Sequence, residues 1–235
     1  MYSSSQHNIL AGTFMEVAYF RPRRSGPEST IENTVADQIT DLFPSETHTL
    51  WTAGSPPIGA GMPDLVVVAC EPQVFVLAQV EMSTTQILAY LRVVGCARLD
   101  TIIERVGMPQ KITIRCLNDL VEVEAVSRVH DKYSLLPIWR EILPEIVTIE
   151  AKVTNWKRAI EQAARNRIFA HQSFVALPDY VAERVRSEPI FKQLGIGLLS
   201  VGDNQVVNVL RRSRRRNPRV WKYYYEIAFL LASHS

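Results

Sequence analysis

The segment Met62-Pro-Asp-Leu-Val-Val-Val-Ala69 restricts the folds open to this chain more than any other. Its Leu-Val-Val-Val core is apolar without alternation, the pattern of a strand buried on both faces. A strand of that kind needs helices packed above and below its sheet, which makes the fold class α/β. The run is entered from a Gly/Pro-rich turn, Gly54-Ser-Pro-Pro-Ile-Gly-Ala-Gly61, and it opens on a carboxylate, Asp64. Charge at the mouth of a buried strand is unfavourable in a purely structural element, so Asp64 is a candidate for chemistry.

A second apolar strand, residues 145–153, carries Glu150-Ala-Lys152 near its end. Residues i and i+2 of a strand point to the same side, so Glu150 and Lys152 are expected to project together, while Ala151 lends its carbonyl and little bulk. Two converging carboxylates can hold a hard divalent cation; Mg2+ needs only one or two of them plus waters. Such a metal polarises a phosphoryl oxygen and lowers the pKa of a bound water. A neighbouring ammonium can orient that water and offset charge in the transition state. Asp64, Glu150 and Lys152 thus supply the groups that phosphodiester hydrolysis requires. His48, His130 and His171 lack metal-ligand spacing, and Cys70, Cys96 and Cys116 form neither a C-x-x-C pair nor a disulfide framework.

Hydrophobic periodicity assigns the other elements. Ser29 or Thr30 caps a helix over 30–43, with Glu32 in its first turn and Pro44 as its stop. Strands are expected at 47–52 and 74–80. Three short helices, 83–94, 98–106 and 110–121, lead into two strands, 122–129 and 132–136, around a His130-Asp131 turn. After the 145–153 strand come a helix over 155–170, a strand at 173–177, a helix over 179–194 interrupted near Pro189, and a β pair at 197–201 and 205–210. Residues 219–232 read as a C-terminal helix packing back on the body.

Pro63-Asp64 followed by Glu150-Ala151-Lys152 resembles the motif of the PD-(D/E)xK nuclease superfamily. Glu32 matches the acidic residue that members commonly carry on the helix before the core. Gln162 matches a Gln that many place on the helix after the Glu-x-Lys strand. The resemblance covers residues 30–81 and 142–201, about half of the chain. It implies a restriction-endonuclease-like mixed-sheet core flanked by helices, with Asp64, Glu150, Lys152, Glu32 and Gln162 as catalytic residues. Asp64, Glu150, Glu32 and the Ala151 carbonyl would bind Mg2+ or Mn2+. The implied activity is cleavage of DNA by an endonuclease, monomeric or a homodimer. Two alternatives stand beside it: a nuclease fold that has lost activity and serves in DNA binding or regulation, and a nuclease directed at RNA.

The family often has a short hairpin between the two motifs, whereas here Asp64 and Glu150 are 86 residues apart. An inserted domain accounts for the gap. The division expected is an N-terminal arm (1–29), a first part of the core (30–81), an insertion (82–138) and a second part of the core with a basic loop and a C-terminal helix (139–235). Three helices and a ribbon, with Gly107-Met-Pro109 between the second and third helix, resemble a winged helix-turn-helix. In such modules the helix after the turn enters the major groove. Gln110, Lys111, Thr113, Arg115 and Asn118 are then its exposed candidates, and Arg128, His130 and Lys132 would lie on the wing near phosphates.

The net charge is only +2, yet Arg211, Arg212, Arg214, Arg215, Arg216 and Arg219 fall within nine residues, and Lys222 follows. Concentrated arginine in a nearly neutral chain points to a polyanion-binding face, with a solvated loop as the plain alternative. The run is expected to lie exposed and to hold phosphates near the cleavage site. Arg21, Arg23 and Arg24 form a smaller cluster. No apolar run approaches the roughly 20 residues that span a bilayer, and the N-terminus lacks a secretory pattern. A cytoplasmic protein without membrane contact is expected.

Overall fold

The unbroken apolar run becomes the third strand of a seven-stranded mixed sheet that is covered on both faces. The structure, a computed structural model, describes residues 17–22, 25–59 and 61–234. Arg23 and Arg24 lie outside the described residues. Strand β1 (Ala18–Tyr19) is followed by α1 (Pro27–Asp37), α2 (Ile39–Leu42), β2 (Thr49–Gly54) and β3 (Leu65–Cys70). The helix expected over 30–43 starts earlier, because Pro27 suits a first helical turn, and it breaks at Gln38. The Gln38 side chain turns away to the edge of the sheet, where it bonds the Gln205 carbonyl and the Val207 N–H.

Residues 74–80, expected as a strand, are instead part of a 3-10 helix, Pro72–Gln79. Val74 and Leu77 are its buried side chains, spaced by the three residues of a 3-10 turn. The place beside β3 that such a strand would have filled is taken by β7 (Glu145–Ala151), antiparallel to β3 with Leu65 opposite Ile149. Between them run α3 (Thr84–Val94), β4 (Cys96–Arg98), α4 (Leu99–Val106), α5 (Gln110–Glu122), β5 (Val126–Val129) and β6 (Lys132–Leu135). The expected ribbon has a third strand: β4 pairs with β6, giving the order β4-β6-β5. Three residues flanked by two helices are too few to show a period.

The chain then forms α6 (Trp156–Asn166), β8 (Gln172–Pro178), α7 (Asp179–Val185), α8 (Pro189–Leu194), β9 (Gly197–Val201), β10 (Val207–Arg211) and α9 (Trp221–Ser233). The large sheet has the order β1-β2-β3-β7-β8-β9-β10, with β7, β8 and β9 parallel. On one face α1 and α2 bury Ile31, Val35 and Ile39 against Leu65, Val67, Val147 and Ile149. On the other, α6, α7 and α8 pack Ile160, Val181 and Phe191 over Val175 and Leu198. Beside them α9 carries Tyr224, Tyr225 and Leu231 into a core that also holds Val66, Val68, Ile87, Leu91, Cys116 and Leu120. The segment between β3 and β7 therefore shares one continuous core with the sheet, through α9. Cys70 and Cys116 are buried, and Cys96 is exposed.

Gly197 opens β9 directly against the Phe174 ring, and a Cβ there would overlap it. Phe174 is buried within β8, so the ring has little room to yield. Gly197→Ala should destabilise the protein by about 1–3 kcal/mol. Urea unfolding at fixed pH checks this, and a midpoint equal to wild type would show that the ring moves freely.

Candidate active site

Antiparallel pairing of β3 with β7 brings their charged ends together. One step beyond the Leu65–Ile149 pair, the register sets Asp64 against Glu150. Asp64 Oδ2 accepts the Ala151 N–H at 2.8 Å and the Lys152 ammonium at 3.2 Å. Lys152 Nζ also donates to the Ala151 carbonyl at 2.7 Å and to Glu28 Oε2 at 3.4 Å. The Lys152 side chain is 12% exposed, that of Asp64 19% and that of Glu28 50%. Burial works against the ammonium, but the carboxylates of Asp64, Glu28 and Glu150 outweigh it and raise the Lys152 pKa.

Glu150 is 1% exposed. Its Oε1 accepts a hydrogen bond from Asn166 Nδ2 at 2.7 Å, while Oε2 is buried with no hydrogen-bond partner. Burial, and secondarily the negative charge of Asp64, push the Glu150 carboxyl up to about 8, against the opposing pull of the Asn166 amide and of Lys152. In the neutral form that this favours near pH 7, Oε1 is the carbonyl oxygen that accepts from Asn166, and the proton resides on the lone Oε2. Helix α6 makes this contact possible: Asn155 caps its first turn by accepting the Arg158 N–H at 3.2 Å. The helix ends at Asn166, sooner than the 155–170 pattern suggests.

The predicted residues are placed unevenly around this corner. Asp64, the Ala151 backbone and Lys152 are joined by hydrogen bonds, whereas Glu150, set against Asp64 by the register, bonds Asn166. Gln162 lies one turn before Asn166 on the same helix face, and its Oε1 is buried with no hydrogen-bond partner. The contact to Glu150 belongs to Asn166. Likewise Glu28, one turn before Glu32, is the α1 residue that reaches Lys152. Glu28 and Glu32 both line a cleft of about 710 Å³, with Arg21, Ser29 and Ser55. Neither Asn166 nor Glu28 had a motif to mark it. Their common signal is a polar side chain one helical turn from a motif residue.

Of the five exposed candidates on α5, Gln110, Lys111, Arg115 and Asn118 are exposed. Thr113 is not: it is fully buried, its hydroxyl donating to the Pro109 carbonyl at 3.3 Å. Thr113, Cys116, Leu117 and Leu120 form the buried face of α5, which excludes position 113 from any groove-facing set. Arg115 pairs with Glu81 at 2.7 Å. On the β5–β6 turn, Arg128, His130 and Lys132 are exposed, and the Arg128 guanidinium stands 5.5 Å from the Tyr133 ring centre.

The arginine run corrects a second expectation. Residues 212–219 have no regular secondary structure, as expected of a loop, but they cross the sheet at the far end from Asp64. Arg215 pairs with Glu145 at the first residue of β7 and donates to the Pro144 carbonyl, whereas Glu150 is five residues along that strand. That separates them by roughly 17 Å along β7. Strands β8 and β9, parallel to β7, both start at this end, and β10, antiparallel to β9, returns the chain to it just before the run begins. Arg211 closes β10 and is half-buried, its guanidinium donating to the Arg186 carbonyl at 3.0 Å.

Among the described residues no group of three or more His, Cys, Asp and Glu side chains is placed to hold a metal ion. The oxygen donors at the Asp64 corner are the carboxylates of Asp64 and Glu150 and the Ala151 carbonyl, with Glu28 reaching it through Lys152. Among the described residues no helix is long and apolar enough to cross a membrane. Comparison with known proteins leaves the geometry to stand alone: no family model matches the chain, and no curated protein or solved structure matches it either.

Proposed function

We propose that this protein is a Mg2+- or Mn2+-dependent nuclease that hydrolyses DNA phosphodiester bonds, with a restriction-endonuclease-like core interrupted by a winged helix. The observation that carries the reading is the position of the Lys152 ammonium. It contacts Asp64 Oδ2 and the Ala151 carbonyl, two of the oxygens a divalent cation would use, and Glu150, set against Asp64 by the strand register, adds a buried oxygen that has no partner. The corner is therefore built to stabilise positive charge with oxygen donors, the chemistry that suits Mg2+.

Asp64 and Glu150 would hold the metal, with the Ala151 carbonyl beside them. When bound, it would polarise a phosphoryl oxygen and supply a water of lowered pKa. Asn166 engages Glu150 Oε1 and so leaves Oε2 for ligation. Lys152 provides a fixed positive charge for the transition state, held in place by Glu28 and Asp64. The cleft lined by Glu28, Glu32 and Arg21 gives a strand room to approach. Gln110, Lys111, Arg115 and Asn118 on α5, and Arg128 and Lys132 on the wing, would contact DNA.

Incubation with supercoiled, linear and single-stranded DNA and with RNA, with and without Mg2+, tests the reading. Metal-dependent loss of supercoiled DNA is expected. DNA binding without cleavage in either metal would favour the inactive, regulatory alternative, and cleavage of RNA alone would favour the other. Asn166→Ala should weaken Mg2+ binding by about 10–100-fold, the usual effect of losing a group that orients a metal ligand. Calorimetric titration measures it, and unchanged affinity would remove Asn166 from the site.

A further inference from the structure

Among the described residues, five of the six arginines between 211 and 219 have no counter-charge. Arg215 has Glu145, and Arg211 has the Arg186 carbonyl. Arg212, Arg214, Arg216 and Arg219 are exposed, and among the described residues none of them forms an ion pair. Their side chains nevertheless converge. Arg216 and Arg219 share a cleft of about 210 Å³ with Arg167 and Gln193. Arg211, Arg212 and Arg214 share a cleft of about 530 Å³ with Lys192 and, again, Gln193. The two clefts meet at Gln193 and make one basic surface. Burial, and then the charges of Arg216, Arg214 and Arg219, lower the Arg167 pKa, so these cations crowd one another.

The crowding is held by main-chain atoms. The Arg214 N–H donates to the Gly195 carbonyl at 3.0 Å, the Arg216 N–H to His171 at 3.0 Å and the Arg219 N–H to Ile168 at 2.8 Å. Arg167 ties the segment down through the Gly195 and Arg214 carbonyls. A surface that fixes several cations side by side is relieved by an anion carrying several charges in a row.

We infer that residues 212–219, with Arg167 and Lys192, form a second nucleic-acid contact: a metal-independent seat for the phosphate backbone of a duplex, at the far end of the sheet from Asp64 and Glu150. Guanidinium groups engage phosphate oxygens in pairs and read no bases. The duplex as occupant rests on the nuclease reading; the convergence of charge does not. A substrate held at both ends of the sheet would extend well beyond the cleavage point.

The test is binding of a labelled short duplex by fluorescence anisotropy, in EDTA, across a series of salt concentrations. The variant combines Arg212→Gln, Arg214→Gln, Arg216→Gln and Arg219→Gln; because the segment is pinned by its backbone, the fold should persist. Each lost phosphate contact should lower the slope of log affinity against log salt by about 0.9. Lysine at the same four positions should keep most of the slope. Arg105→Gln with Arg184→Gln, exposed elsewhere, should leave it unchanged. An unaltered slope in the fourfold variant, or an equal loss in the control, overturns the inference, as does displacement of the duplex by poly-glutamate at equal charge. If the fourfold variant fails to fold, Arg214→Gln with Arg216→Gln gives the same reading at about half the effect. Cleavage that is lost in Asp64→Asn while the slope is unaltered in the fourfold variant would refute this surface alone. The converse would refute only the nuclease.

Discussion

Asp64→Ala and Glu150→Gln should each lower Mg2+-dependent cleavage by at least about 10²–10³-fold, and Lys152→Ala by a similar factor. The three differ in what else they change. Asp64→Ala removes a ligand and the partner of both the Ala151 N–H and Lys152, so metal binding should fall with activity. Lys152→Ala leaves both carboxylates in place, so metal should still bind while cleavage is lost. Single-turnover cleavage beside calorimetric Mg2+ titration separates these outcomes. Wild-type cleavage by any of the three would end the assignment.

The second large effect is on pH. Glu150 is held neutral up to about 8 in the metal-free protein, so it must give up its proton before it can ligate. Apparent Mg2+ affinity should therefore rise nearly tenfold per pH unit well below 8, about 50-fold between pH 6 and pH 8, and then level off. The same shift fixes the sign of stability. The ordinary pKa of this group is 4.5, so between there and about 8 the folded state binds more protons than the unfolded one. Metal-free stability should fall as pH rises through that window, by on the order of 3–5 kcal/mol. Glu150→Gln has no proton to lose and should abolish the fall, leaving a variant that is inactive yet more stable than wild type at pH 8. Urea midpoints of the two proteins in EDTA at pH 5 and pH 8 decide it; parallel changes in both would rule out Glu150 as the source.

What could be read from the chain depended on whether the signal was local. Asp64 and Glu150 stand out because each puts charge at the end of an apolar strand, and antiparallel pairing of those strands does the rest. The Asn166 contact spans 16 residues and depends on where α6 stops, which no period of its residues dictates. Glu28 and Glu32 are one turn apart on α1, and only the pose of that helix makes Glu28 the neighbour of Lys152. Residues 74–80 show the ambiguity of a short apolar run: Val74-Phe-Val-Leu-Ala78 is apolar enough for a buried strand, yet Val74 and Leu77, three residues apart, share a face only in a three-residue turn. The position of the arginine run was out of reach for another reason. Composition gives its charge, but strand direction decides which end of the sheet receives it.

Helix α9 also has a bearing on how the protein is made. It follows every element it seals, and more than a hundred residues separate it from α3. At roughly 5–20 residues per second on a ribosome, the apolar sides of α3 and the 3-10 helix wait about 5–25 s for their cover. In that interval Ile87, Leu91, Val74 and Leu77 lack the tyrosines of α9. Chains arrested before residue 221 should accordingly be cut by protease within α3, and chains extended past 233 should resist. The nascent protein thus passes through a long exposed phase in which chaperone capture competes with closure.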